Sequence, residues 1–131
     1  MLKHFSTIAR IKGAPLVTVN FDGTWKNELH SEMDLEVDDD GFIVGTYRTG
    51  VGMPGPAEEF DLAGFASGDL LSFTVNFGKY GSLTSWAGQY AVENGKERIQ
   101  TMWLLAKNVQ DDTEVKSLWG TTLIGADRFS R

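Results

Sequence analysis

IQTMWLL, residues 99–105, is the stretch of sequence that decides the fold. Its composition favours a β-strand, in which successive side chains point to opposite faces. Both faces are then apolar, and the chain has no helical pattern that would cover a parallel sheet from two sides. We therefore expect a barrel strand whose inside packs a core or a ligand and whose outside packs another subunit. The inner face carries Thr101, Trp103 and Leu105, and the outer face carries Met102 and Leu104.

Composition limits the classes of function. The chain has 131 residues, enough for one domain with its own core, and it contains no Cys, so disulfides and thiol–metal sites are impossible. The net charge of −6 argues against nucleic acid or an anionic membrane surface as partner. No apolar run approaches the ~20 residues that a membrane span needs. His4 and His30 are too few and too far apart in sequence to predict a metal site.

The N-terminal residues 1–20 have no clear period, and we interpret them as an extension that lies on the surface or adds an edge strand. Met1–Phe5 begins like the basic part of a signal peptide, but Arg10 and Lys12 interrupt the apolar run that should follow. We therefore expect no clear signal peptide, and the location of the protein stays open. The barrel domain is predicted to span residues 21–131.

Short strands separated by turn signals follow from residue 21, a pattern typical of an all-β barrel or sandwich. Asn94-Gly95 is a strong type I′ hairpin signal, and Asp38–Gly41 is a second turn. Residues 110–119 read as a polar loop, with or without one helical turn. The sequence therefore predicts an eight-stranded antiparallel up-and-down β-barrel, whose interior holds side chains or one small ligand. The predicted strands are 21–30, 31–37, 42–49, 59–65, 70–77, 82–92, 98–109 and 120–129.

The period of two also predicts which side chains face the interior. Leu29 and Leu123 fall on this face, together with the aromatic residues Trp25, Phe73 and Trp86. A buried polar group without a partner costs ~1–3 kcal/mol. The inward polar residues therefore either see solvent at the rim or bind a polar ligand, and the pattern alone leaves both interpretations open. These polar residues are Asn27, Ser31, Tyr47, Thr49, Ser82, Thr84 and Asp127.

Six sequence motifs resemble the avidin and streptavidin family of biotin-binding proteins. Each motif alone is weak, but their order and spacing together are specific, and they cover the chain from about residue 21 to its end. The family fold is an eight-stranded antiparallel barrel with biotin in one end. The motifs are GTWKNEL (23–29), GTY (45–47), FTVNF (73–77), WAGQY (86–90), TMWLL (101–105) and TLIGADRF (122–129).

The resemblance implies a role for each polar residue. Asn27, Ser31 and Tyr47 would donate to the ureido oxygen of biotin, and the convergence of donors on one oxygen is the arrangement of an oxyanion hole. Asp127 and Thr49 would each accept one ureido N–H.

The same resemblance assigns the rest of the pocket. Thr84 would approach the thioether sulfur, and Ser82 would hold the valerate carboxylate, helped by backbone N–H groups near Gly52 and Met53. Trp119 would cross into the pocket of the neighbouring subunit. The aromatic box would consist of Phe77, Trp86 and Trp103, with Leu29, Val51 and Leu105 filling the gaps.

Some positions depart from the family pattern. Phe77 stands where most members have Trp, so the box is smaller. The loop 50–56 carries two prolines that stiffen it, and Gly120 follows Trp119 where a larger residue is usual. These departures concern the affinity for biotin more than the identity of the ligand.

The resemblance also implies self-association, most simply a homotetramer. A monomer would expose one apolar patch on the outside of the last two strands, which soluble monomers usually avoid. A two-fold axis would bury the same patch on both subunits. This patch consists of Met102, Leu104, Ile124 and Ala126.

Other functions are less well supported by the residues. The acids from Glu36 to Asp40 match a calcium loop only in part, because its twelfth position would be Tyr47. Ser82 and Asp127 lack an inward histidine, so we expect no enzyme and no cofactor. Two alternatives stay open: a barrel that carries another small ligand, as lipocalins carry apolar ones, and an oligomer with a weakened biotin site.

Overall fold

Eight antiparallel strands form a closed barrel in the computed structural model of the protein, which describes residues 19–108 and 122–131. Each strand is hydrogen-bonded to the next in the chain, and β8 closes the barrel on β1 at Lys26–Ser130 and Asn27–Phe129. The predicted all-β up-and-down barrel is confirmed. The strands are β1 (Gly23–Asn27), β2 (Glu32–Val37), β3 (Phe42–Thr49), β4 (Glu58–Ser67), β5 (Leu70–Phe77), β6 (Ser82–Glu93), β7 (Lys96–Lys107) and β8 (Thr122–Ser130).

Some strand limits differ from the prediction. The limits of β3 and β5 match it, but β1 ends at Asn27 rather than at His30. The chain turns after Asn27, and His30 takes the left-handed region with φ 64°, which a strand cannot accommodate. The predicted loop after β5 contains a 3₁₀ turn, Gly78–Tyr80. The loop predicted at 110–119 lies outside the described residues.

Two hairpin turns follow from their residues. Asn94 and Gly95 both have positive φ, 51° and 76°, as the predicted type I′ turn requires. At the β2–β3 turn, the Asp38 carboxylate accepts the N–H groups of Asp40 and Phe42 at 2.9 Å each. A Cβ on Gly41 would overlap with the Ala66 carbonyl oxygen, so this turn needs glycine. Both predicted turns are confirmed.

The core extends from the end of the barrel opposite the site described below to the wall of that site. Its largest side chains alternate along the strands, as the period of two predicts. Val19 packs against this core, so the chain contacts the barrel just before residue 21. No helix in residues 19–108 and 122–131 is long and apolar enough to span a membrane. The most deeply buried side chains are Phe21, Trp25, Met33, Leu35, Ile43, Phe73, Val75, Ile99 and Phe129.

Arg131 closes this end of the barrel. Its guanidinium carbon lies 4.1 Å from the centre of the Trp25 ring. The same group donates to both carboxylate oxygens of Glu97, at 2.7 and 2.8 Å, and to the carbonyl oxygens of Asn20 and Asp22, at 2.8 and 2.9 Å. We call this the closed end, and we call the other end, at which the connections after β1, β3 and β5 lie, the mouth.

Candidate functional site

Three polar side chains meet inside the mouth. Asn27 ends β1, Ser31 follows the β1–β2 turn, and Tyr47 lies on β3, directly opposite Met33. Ser31 and Tyr47 are buried, and Asn27 is half-buried. Burial raises the pKa of Tyr47, whereas the neighbouring Ser31 and Asn27 side chains act in the opposite direction. The phenol is therefore protonated at neutral pH and is available as a donor.

The turn after β1 fixes the orientation of the Asn27 amide. Its side-chain oxygen accepts the backbone N–H groups of Leu29 and Ser31, both at 3.0 Å. Because these two bonds use the oxygen, the NH₂ half is the half that can donate into the barrel. Asn27 therefore shapes the turn and presents a donor beside Ser31 and Tyr47.

Asp127 supplies an acceptor across the barrel. Its carboxylate is buried, and Oδ2 accepts the indole N–H of Trp86 at 2.9 Å. In residues 19–108 and 122–131, Oδ1 is buried without a hydrogen-bond partner, and so is Oγ1 of Thr84. The Trp86 ring that donates to Asp127 lies 5.2 Å from the Tyr47 ring, which places the carboxylate near the donor cluster. A buried carboxylate needs donors to offset its lost hydration, so Oδ1 can accept an N–H from a ligand.

Aromatic rings line the interior beside these polar groups. The Tyr47 ring lies 5.2 Å from that of Trp86 and 5.9 Å from that of Phe77. Trp86 is stacked on Phe73 at 5.2 Å, on the side of the core. The predicted box residues Phe77 and Trp86 therefore adjoin the polar cluster, and such rings suit a flat ligand.

Trp103, the third predicted box residue, lies directly over a glycine. It is half-buried on β7 and is opposite Gly125 on β8. A Cβ on Gly125 would overlap with the six-membered ring of the Trp103 indole. The indole can lie against the sheet because position 125 has no side chain.

The remaining predicted pocket residues lie nearer the rim. Leu29 is 64% exposed, because β1 has ended and the alternation no longer applies in the turn; its predicted inward position is wrong. Leu123, also predicted to point inward, is 55% exposed at the start of β8. Met53 is half exposed, at 50%, and Gly52 is exposed. The half-buried positions of this group are Thr49, Val51, Phe77, Ser82 and Leu105.

The sequence analysis missed Phe60 in this region, and it placed Thr101 on the inner face without giving it a role. Phe60 is buried on β4 opposite Tyr47, and its ring lies 4.6 Å from that of Phe77. Its alternation with the buried Leu62 could have placed it inside the barrel. Thr101 donates from Oγ1 to the backbone oxygen of Asp127 at 3.0 Å and so fixes the strand that carries the carboxylate.

The predicted subunit patch lies on the outer face of β7 and β8. Leu104 is opposite Ile124, and Met102 is opposite Ala126. Met102, Leu104 and Ile124 are 60%, 48% and 69% exposed, and Ala126 is exposed as well. Met102 and Ala126 line a groove of about 510 Å³. Trp119, predicted at a second subunit contact, lies outside the described residues.

Known proteins with related sequences and structures share this architecture. The sequence model of the Avidin family matches residues 16–131. Avidin-related protein 4/5 of Gallus gallus is 36% identical over 116 residues, which cover 83% of this chain and 75% of the relative. Avidin of Gallus gallus is 34% identical over 118 residues, covering 83% and 76%.

Solved structures of similar proteins have the same barrel fold. The crystal structure of Xenavidin superimposes with a TM-score of 0.74 at 31% identity, and the match covers 87% of this chain and 98% of that one. AVR2 also has a TM-score of 0.74 at 31% identity, with coverage of 88% and 97%.

Proposed function

The chain belongs to the avidin family, and on that premise we propose that it binds biotin in the mouth of its barrel. The ureido oxygen of biotin would accept hydrogen bonds from Asn27, Ser31 and Tyr47. Oδ1 of Asp127 and Oγ1 of Thr49 would accept the two ureido N–H groups.

The observation that supports the proposal most directly is that hydrogen-bond donors line one part of the barrel wall and a free acceptor lies on another. The three donor side chains belong to the neighbouring strands β1 to β3 and the turn between the first two, and the buried Oδ1 of Asp127 on β8 has no partner among the described residues. A cyclic urea presents one carbonyl oxygen between two N–H groups and complements this arrangement. An apolar ligand would leave the buried polar atoms unpaired, at ~1–3 kcal/mol each.

The other assignments in the pocket belong to the same proposal. Phe77, Trp86 and Trp103 would enclose the bicyclic ring, and Thr84 would approach its sulfur. The valerate carboxylate would reach Ser82 and the backbone N–H groups of Gly52 and Met53 at the rim. Leu29, Val51 and Leu105 would contact the ligand at the edges, and Leu29, exposed in the free barrel, would become covered on binding.

We also propose a homotetramer. The patch Met102, Leu104, Ile124 and Ala126 would form one subunit contact, since its exposed side chains are apolar and lie side by side. Trp119 would form a second contact and close the biotin site of the neighbouring subunit.

Calorimetry on protein of defined size tests the ligand. We expect a titration with biotin to show binding and one with decanoate, which shares only the carboxylate and an alkyl chain, to show none. The reverse result would favour the carrier of an apolar ligand, and binding of neither would favour an oligomer with a weakened site.

Single substitutions test the donors. Asn27→Ala, Ser31→Ala and Tyr47→Phe should each weaken biotin binding by ~1–3 kcal/mol, the cost of one buried hydrogen bond left unmade. Thr74→Ala is the matched control, because Thr74 is hydrogen-bonded to Ser85 on the outer face of the barrel. Parent-like affinity in all three donor variants would contradict the assignment.

A further inference from the structure

The backbone ladder of the barrel has a gap at the mouth. Pairing between β4 and β5 stops at Leu62–Val75, although β4 begins at Glu58 and β5 continues to Phe77. The neighbouring ladders continue to the rim, as far as Thr49–Glu58 between β3 and β4 and Phe77–Ser82 between β5 and β6. We call the unpaired stretch between residues 58–61 and 76–77 the seam.

Side chains hold the seam together. The Tyr80 hydroxyl donates to the Glu58 carboxylate, with oxygen–oxygen distances of 2.6 and 2.5 Å. Lys79 Nζ lies 2.8 Å from Oε2 of the same carboxylate and 5.1 Å from the centre of the Tyr80 ring. The hydrogen bonds from Lys79 and Tyr80 lower the pKa of Glu58, as expected of a carboxylate held between two donors. We call Glu58, Lys79 and Tyr80 the rim brace.

The rim brace is linked to the wall of the candidate site through Phe60. The Tyr80 ring lies 6.1 Å from that of Phe60, which lies 4.6 Å from that of Phe77. Phe77 in turn lies 5.9 Å from Tyr47. The contact series therefore leads from the exposed rim to the donor cluster, and Phe77 is the last residue of β5 before the turn that carries Tyr80.

From this geometry we infer that the rim brace closes the seam and positions Phe77, so that Tyr80 sets the rate at which a bound ligand leaves. The inference rests on the proposed function, because it concerns the same pocket. Opening the seam separates no residues that are paired in the ladder, since the register between β4 and β5 ends at Leu62–Val75. The resistance to opening comes from the Phe60–Phe77 contact and the brace. The proposal makes Tyr80 a positioning residue that acts through Phe77.

The test compares Tyr80→Phe with the parent protein in biotin binding. The variant keeps the ring that faces Phe60 and loses the bond to Glu58. We expect the dissociation rate of biotin, measured by chase, to rise about two- to fivefold, while the association rate changes less than about 1.5-fold. Lys79→Met should act in the same direction.

Tyr90→Phe is the matched control. Tyr90 donates to Glu97 at 3.0 Å beside Arg131, so a tyrosine, a glutamate and a cation also meet at the closed end. We expect Tyr90→Phe to leave the dissociation rate unchanged, which separates positioning of Phe77 from a general loss of stability. An equal increase in both variants would overturn the inference.

Amide hydrogen exchange of the ligand-free protein tests, independently of biotin binding, whether the rim brace holds the seam closed. Amides of residues 58–61 and 76–80 should exchange faster in Tyr80→Phe than in the parent, whereas those of β7 should not change. Unchanged exchange in these two segments would overturn the brace, even if biotin binds. Failure of the parent to bind biotin would overturn the proposed function instead, and faster exchange would still support the brace.

Discussion

The indole N–H of Trp86 donates a 2.9 Å hydrogen bond to Oδ2 of Asp127, although Trp86 lies on β6 and Asp127 on β8, with β7 between them. Both residues are buried. Trp86 also contacts the rings of Tyr47 and Phe73, so the bond couples the aromatic wall to the buried carboxylate. Because this bond uses Oδ2, Oδ1 is the carboxylate atom that can accept a hydrogen bond from a ligand.

Replacing Asp127 by Asn should weaken biotin binding. The amide oxygen can still accept from Trp86, but the variant loses the charge, and bonds to charged acceptors are worth ~1.5–3 kcal/mol. We expect a loss of affinity of about ten- to 150-fold in calorimetry, since 1.4 kcal/mol corresponds to a factor of ten. An unchanged emission spectrum of the ligand-free variant would show that Trp86 keeps its environment. Affinity equal to that of the parent would contradict the role of Oδ1.

Replacing Gly125 by Ala should displace Trp103. The added methyl group would overlap with the indole ring, and the rigid ring can yield only by rotating or by moving β7 away from β8. Overpacking of this kind costs ~1–3 kcal/mol. We expect both a lower melting temperature and weaker biotin binding.

Ala63→Ser is the matched control for this prediction, because Ala63 is exposed on the outer face of β4 and lies outside the subunit patch. It should change neither quantity. A Gly125→Ala protein with the melting temperature and affinity of the parent would show that Trp103 tolerates the methyl group.

The sequence predicted most of the fold because its strands follow the period of two closely. Residues such as Trp25 and Phe73 were predicted to face inward by alternation alone, and they are fully buried. The prediction was wrong where the alternation ended, as at Leu29, whose strand stops two residues earlier.

The geometry of the candidate site could be predicted from the sequence only in part. Alternation shows that Asn27 and Tyr47 face inward, but the bonds that orient the Asn27 amide come from the turn at 28–30. The Trp86–Asp127 bond joins residues 41 positions apart and depends on the register of three strands. Such contacts follow from the closure of the barrel, which local sequence does not encode.

Low pH should destabilise the closed end of the barrel. The hydrogen bonds from Arg131 lower the pKa of Glu97 to about 2, from an ordinary value of 4.5. Because the folded pKa is below the unfolded one, this carboxylate contributes stability that is present above about pH 4.5 and lost as the pH falls towards 2. We expect the melting temperature of the parent to fall over this range and that of Glu97→Gln to fall less.

Thermal unfolding between pH 2 and 7 measures this difference. Glu93→Gln is the control, since Glu93 lies 3.9 Å from Arg128 and accepts a hydrogen bond from the neutral amide of Gln100 at 2.6 Å on the outer face. Parallel curves for the parent and Glu97→Gln would show that the bond between Glu97 and Arg131 does not contribute to acid stability.

Assembly is the last prediction. Met102→Arg combined with Ile124→Arg should split the first subunit contact, because a self-complementary interface would bury four unpaired charges around its two-fold axis. Trp119→Lys should weaken the second contact and biotin binding together. Light scattering with and without biotin measures the size of each variant, and calorimetry measures its affinity.

Biotin should also stabilise the assembly, because a ligand that touches two subunits binds the associated state more tightly than the separate chains. Val92→Arg is the control: Val92 is 59% exposed near the β6–β7 turn and lies outside the patch, so this variant should keep the size of the parent. The double variant should be smaller than the parent at micromolar concentration, and biotin should shift it towards the larger species. A parent protein that stays monomeric at saturating biotin would contradict both the patch and the role of Trp119.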